Sequence, residues 1–383
     1  MNSYSMKFYV CVLFFSALFL FAGNRIASLG AQPMPAGYDP EIVSGVITQI
    51  IDREETQHGL DPEFSFTNTT VTFMARLTSG PSRGTEVVAE HSLSTVLLLV
   101  EREVAVGDRI LMIYDQFNSR YYFTNYVRIN YVLILGGIFF VLIILFGKRT
   151  GLNSIVALGF TCGSVFFVFI PAILAGRNIY ATTVVICVYA IVSTLLIVIG
   201  PTKKALTAML GCLGGVLLAG LIMVIMNIVL NLTGFVDEET QFLLLLPLEN
   251  PIDLRAIIFA GVIIGSVGAI MDVAMSIASS LWELKITGGA SNFQELFDSG
   301  INIGKDTLGT MLNTLILAYI GSSLSLILLI TAHTTSMLDL FNLEMVLVEL
   351  LRAIIGSFGM LLAIPLTAGI CGWLYTRPDR SDQ

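Results

Sequence analysis

The chain has 383 residues, of which 55% are hydrophobic and only 13% charged, with a net charge of −8. A mean hydropathy of +0.83 exceeds what a water-soluble fold needs and matches a bundle of membrane-spanning helices. No basic excess and no basic–aromatic stripe points to nucleic acid, and the lipid bilayer is the partner this composition demands.

The first apolar run, Phe8–Ala22, follows Lys7 and precedes Ala22-Gly23 and Gly30-Ala31. This is signal-peptide grammar, and the run can equally remain as an anchor, so residues 1–30 read as a signal peptide or signal anchor. Residues 38–128 then form a polar domain with period-two patterning: Val71, Phe73, Ala75 and Leu77 alternate with Thr70, Thr72, Met74 and Arg76. Further strands are expected at Ile42–Arg53, Glu86–Glu90, Thr95–Glu101, Arg109–Asp115 and Tyr121–Arg128, separated by turns such as Val106-Gly107-Asp108. Short strands at this spacing predict a small β-barrel-like domain, OB-like or sandwich-like.

Residues 129–376 read as an α-helical polytopic bundle. About seven spans are expected after the N-terminal run: 130–147, 152–174, 179–199, 205–232, 254–282, 308–332 and 347–375. The 130–147 segment carries almost no polar atom and is expected to face lipid. Small residues (Gly211, Gly215, Gly261, Gly265, Gly356 and Gly359) mark close helix contacts, and Pro365 is expected to kink the last helix. The connection 233–252, with Phe242-Leu243-Leu244-Leu245-Leu246-Pro247, is too short to cross and reads as an interfacial or re-entrant segment.

Basic residues set the orientation. With 38–128 outside, the cytoplasmic connections hold Lys148, Arg149, Lys203, Lys204, Lys285 and Lys305, and the cytoplasmic tail 377–383 holds Arg377 and Arg380. The expected location is the cell membrane, with an extracytoplasmic β domain. All five cysteines lie in apolar segments, and no metal set is present. Walker, GxSxG, HExxH and GxGxxG patterns are absent in the required context, so the chain reads as no enzyme and calls for no cofactor.

The chemistry-bearing residues concentrate on two neighbouring helices. Asp272, Ser276, Ser279 and Glu283 fall at i, i+4, i+7 and i+11, one stripe of a helix; Asn302, Asp306, Gly309 and Asn313 repeat that spacing on the next. Asp272 lies about ten residues, or ~15 Å, from the expected cytoplasmic boundary. Antiparallel pairing brings it to the depth of Asn313, with hydroxyls from Thr310 and Thr314. Gly265, Gly268 and Gly309 are expected to let the pair approach. An ion- or substrate-binding site is thus expected at Asp272, Ser276, Ser279, Thr310, Asn313 and Thr314, with a cytoplasmic vestibule at Glu283, Asn302 and Asp306. An all-oxygen set suits a proton, Na⁺ or a small polar solute. The competing reading is interhelical hydrogen bonding alone. Glu349 and Arg352 are expected to pair.

The runs Gly268–Ser280, Glu283-Leu284, Gly300–Asp306, Gly309-Thr310 and Asn313–Gly321 resemble the signature of the YibE/F-like membrane proteins. The likeness is read as extending over nearly the whole chain. It implies a bacterial multipass membrane protein and brings neither substrate nor mechanism with it. The leading expectation is a permease or transporter of an ion or small polar solute. The alternative is a membrane-anchored scaffold or export-assisting protein whose β domain binds a partner. A second copy or another membrane protein is the expected neighbour.

Overall fold

The computed structural model describes residues 3–29, 41–58, 66–94, 102–115, 118–246, 248, 250–289, 292–333 and 336–376. The strand expected at Thr95–Glu101, the processing region after residue 29 and the tail 377–383 lie outside the described residues. Contacts divide the chain into two units, Met34–Leu142 and Met1–Pro33 with Ile143–Gln383.

The first unit is a closed five-stranded barrel ordered β1-β2-β3-β5-β4. Its strands are β1 (Ile42–His58), β2 (Phe66–Leu77), β3 (Glu86–Ser94), β4 (Arg109–Asp115) and β5 (Arg120–Tyr126). All pairings are antiparallel except β3 with β5. Closure follows from the length of β1: its first residues pair β4 while the rest, through two register shifts, pair β2. The predicted alternation holds, for Val71, Phe73, Ala75 and Leu77 are at most 1% exposed and meet Ile47, Ile110 and Met112 in the core. At the turn before β4, Gly107 takes φ +92° and the Asp108 carboxylate accepts the Ala105 N–H at 2.9 Å.

The second unit is a helix bundle. It begins with α1 (Ser3–Ala27) and resumes within α2 (Ile129–Ser164). At Lys148 the backbone leaves helical geometry (φ 48°, ψ −122°). A Cβ on Gly151 would lie 2.3 Å from the Ile143 carbonyl oxygen, so the chain folds back on itself at Lys148 and only glycine fits there. The two segments expected at 130–147 and 152–174 are therefore joined by a break and not by a loop. A π-helical turn, Val165–Phe169, leads into α3 (Ile170–Leu174).

Next come α4 (Ile179–Val198), α5 (Lys203–Val229), the short α6 (Glu238–Leu244), α7 (Leu254–Ile286), α8 (Phe293–Ser322), α9 (Leu324–His333), α10 (Met337–Asn342) and α11 (Glu344–Tyr375). Polar caps start several of them: Asn178, Thr202, Asp237, Asp253 and Asn292 each accept a backbone N–H from the first turn. The main core joins α4, α5, α7 and α11. Gly211 and Gly215 of α5 seat Thr367 and Ala363 of α11, as expected of small residues in lipid. The helix α11 continues through Pro365. The leucine-rich 242–248 region packs Leu243, Leu246 and Leu248 against a second cluster drawn from α1, the π-helical turn, α3, α4 and the start of α7, leaving Phe242 and Leu245 exposed.

Six helical stretches among the described residues are long and apolar enough to cross a membrane: Met6–Ala27, Ile129–Leu174, Ile179–Val198, Lys203–Val229, Leu254–Ile286 and Glu344–Tyr375. One expected span needs correction. The single helix over 308–332 is instead α8, which starts fifteen residues earlier at Phe293, and α9, divided at Ser323. Ser322 turns its hydroxyl onto the Tyr319 carbonyl at 2.8 Å, the local competition by which serine weakens a helix end. The early start arises because Phe293–Asp306 is amphipathic and buries Leu296, Gly300 and Gly304.

Candidate functional site

The site rests on how α7, α8 and α11 lock together. On α7 the residues Ser266, Val267, Ile270, Val273, Ala274, Ile277, Ala278 and Leu281 are buried. The opposite stripe, Gly261, Gly265, Gly268, Asp272 and Glu283, is exposed, with Ser276 and Ser279 half-buried along it. On α8 the buried Gly300 and Gly304 face Ala368 and Ile364 of α11, at 2.7 and 2.3 Å from where a Cβ would sit. That seam turns Asn302, Asp306, Gly309, Thr310, Asn313 and Thr314 outward, and all six are exposed.

Two contacts give the register between α7 and α8. Leu281 lies against Gly300, and the Tyr319 hydroxyl lies 3.4 Å from the Cβ position of Gly265. The helices are antiparallel, and interpolation puts Asp272 level with the Thr310–Asn313 turn. The close approach expected at Gly268 and Gly309 is absent: a Cβ at either would meet nothing within 4 Å. The contact glycines are Gly300 and Gly304, toward α11, because α8 leans on that helix more than on α7.

The hydroxyls are already oriented. Thr310 donates to the Thr307 carbonyl at 3.0 Å and Thr314 to the Thr310 carbonyl at 2.9 Å. Each therefore spends its proton on its own helix and presents lone pairs outward. Among the described residues Ser279 reaches only the Met275 sulfur, at 3.9 Å. Among the described residues Asp272, Ser276, Asn313, Asn302, Asp306 and Glu283 form no hydrogen bond or ion pair through their side chains. The stripes do not bond to each other, so interhelical hydrogen bonding does not account for them. They form an open polar face and not an enclosed cavity.

Sequence reasoning did not single out Tyr319. It stands at the junction of α7, α8 and α11, 3.4 Å from the Cβ position of Gly265 and 4.0 Å from that of Gly356, and within electrostatic range of Arg352 and Glu349. Glu349 pairs with Arg352 as expected, yet its second oxygen, Oε2, is buried without a hydrogen bond. The signal available was Tyr319 two turns beyond Asn313, pointing where α7 has glycine.

A bundle with six helical stretches long and apolar enough to cross a membrane has the make-up of a polytopic membrane protein. Its kind follows from a family comparison. The YibE/F-like protein family matches residues 135–377, and the chain belongs to that family. The match covers the bundle from within α2 onward and leaves out α1 and the barrel, so the likeness is narrower than the sequence alone suggests. Searches of the curated proteins and of the solved structures found no match.

Proposed function

We propose that this protein moves a cation or small polar solute across the membrane along the α7–α8 face, with Asp272 as the charged centre. The observation that supports this most is that Asp272 lies midway along the 33-residue α7, exposed and unbonded, on a polar stripe continuing to Glu283. A carboxylate at the centre of a spanning helix costs about 2.5–3.5 kcal/mol when it faces hydrocarbon. Water or a guest along the stripe removes that cost. Thr310, Thr314, Ser276 and Asn313 supply oxygen ligands at the same depth, and Glu283, Asn302 and Asp306 form an acidic mouth that concentrates cations.

The distribution of Lys and Arg supports an orientation with the barrel outside a bacterial cell membrane and the mouth and C-terminus in the cytoplasm. The extent of the family match supports the bundle, and not the barrel, as the seat of the shared activity.

The test is flux into proteoliposomes, read with a pH-sensitive dye for protons and with radiolabelled Na⁺. Asp272→Asn keeps size and hydrogen-bonding capacity and removes the charge. It is expected to lower flux to the level of protein-free liposomes while the melting temperature stays near wild type. Wild-type flux of either ion that persists unchanged in the variant overturns the assignment of Asp272.

A further inference from the structure

Where the chain leaves β5 and enters α2, Arg102, Asp108, Arg109, Tyr126, Arg128 and Tyr131 line a polar cavity of about 560 Å³. The ring of Tyr126 is its organising element. The guanidinium carbon of Arg102 lies 5.4 Å from the ring centroid, and that of Arg128 lies 5.6 Å away. The Tyr126 hydroxyl donates to the Arg102 carbonyl at 2.7 Å, which holds the ring in place. Arg102 is answered by both oxygens of Asp108, at 3.0 and 3.2 Å. Arg109 and Arg128 have no carboxylate partner among the described residues. Among the described residues, two positive charges therefore stand unneutralised at the cavity.

The first turns of α2 identify the guest. From Ile129 this helix presents Tyr131, Val132, Leu133, Ile134 and Leu135 exposed, an apolar surface that hydrocarbon covers without penalty. With α2 a membrane span by its length and composition, the cavity beside its first turns falls at the level of lipid phosphates, and Ile134 is among its lining residues. Guanidinium forks match phosphate oxygens two at a time. Tyrosine is at home at this boundary, with an apolar ring and a polar tip.

We propose that this cavity binds the phosphate of an anionic phospholipid headgroup, held by Arg109 and Arg128, with the acyl chains lying along α2 from Ile134 onward. The site is a lipid anchor for the segment joining barrel to membrane. It rests on membrane insertion and is independent of any transport role for Asp272.

The full chain, washed in detergent and presented with phosphatidylglycerol or phosphatidylcholine, is read by native mass spectrometry. Wild type retains the anionic lipid preferentially. The double variant Arg109→Ala/Arg128→Ala loses about thirtyfold in apparent affinity for it, the effect of two surface arginines each facing an anionic headgroup. Arg53→Ala, whose guanidinium pairs with Glu55 and Glu103 elsewhere on the barrel, leaves retention at the wild-type level. If the double variant melts early, the single variant Arg109→Glu is read in its place and must lose retention while folded. Equal retention of the two lipids, an unchanged double variant, or an equal loss in Arg53→Ala overturns the proposal. Displacement of the lipid by millimolar inorganic phosphate overturns the assignment to a lipid in favour of a free anion.

Discussion

The polar face of α8 points outward because two glycines let the helix lie flat on α11, and this can be tested by one added methyl group. In Gly304→Ala the new Cβ would sit 2.3 Å from Ile364 Cγ2, 3.0 Å from Cγ1 and 3.2 Å from Cβ. Carbon atoms pack best at about 3.5–4.0 Å, so α8 must retreat by about 1 Å or Ile364 must leave its rotamer. Overpacking of this kind costs roughly 1–3 kcal/mol. Ile364 is 4% exposed, and Ile364→Ala alone leaves a cavity that costs about 2–5 kcal/mol. In the double variant the two nearest atoms, Cγ2 and Cγ1, are gone and the new methyl fills part of the space. The double variant is therefore expected to be more stable than the sum of the singles by about 1–2 kcal/mol. Thermal unfolding in detergent, followed by the fluorescence of Trp282 and Trp373, measures all four corners of the cycle. Strict additivity, or a Gly304→Ala protein as stable as wild type, would refute the seam and with it the reason given for the outward face of α8.

Local geometry sets the remaining expectations. Gly234 takes φ +97° and a Cβ there would lie 2.3 Å from Leu254 Cβ, so Gly234→Ala is expected to destabilise the bundle by more than ~2 kcal/mol in the same unfolding assay. The neighbouring Glu344 carboxylate accepts from Thr233 N at 2.8 Å, Thr233 Oγ1 at 2.6 Å and Gly234 N at 2.6 Å; Glu344→Ala is expected to cost about 1.5–3 kcal/mol. In the barrel, burial first, then the nearby Tyr114 and Glu41, raise the pKa of Tyr121 above the ordinary tyrosine value. The folded state holds this proton more tightly than the unfolded chain does. That contribution is complete below about pH 10 and is lost as pH climbs through the raised value. Barrel stability in Tyr121→Phe should accordingly fall less steeply across alkaline pH, as circular dichroism at stepped pH would register.

The alternation of Val71, Phe73, Ala75 and Leu77 could be read directly because strand period two is a local property, and the barrel core contains all four. The break at Lys148 was less accessible. It depends on Gly151 meeting Ile143 across a reversal, which no window of hydropathy reports. The boundary at Ser323 escapes the sequence for a similar reason: 308–332 is apolar throughout, but hydropathy does not register a serine that bonds its own backbone.

For the site, spacing alone placed Asp272, Ser276, Ser279 and Glu283 on one stripe and Asn302, Asp306 and Asn313 on another, since 3.6-residue periodicity is a matter of arithmetic. Equal depth of Asp272 and Asn313 followed from antiparallel order. Tertiary structure alone decided which way those stripes face. Gly300 and Gly304 commit α8 to α11, and Tyr319 lies over Gly265, leaving the Asp272 carboxylate open and, among the described residues, unbonded, with the Thr310 and Thr314 hydroxyls bonded only to their own helix. Periodicity determines which residues share a helix face. The direction of that face is settled by which small residues find a partner across the seam, and that contact is made between segments far apart in the chain.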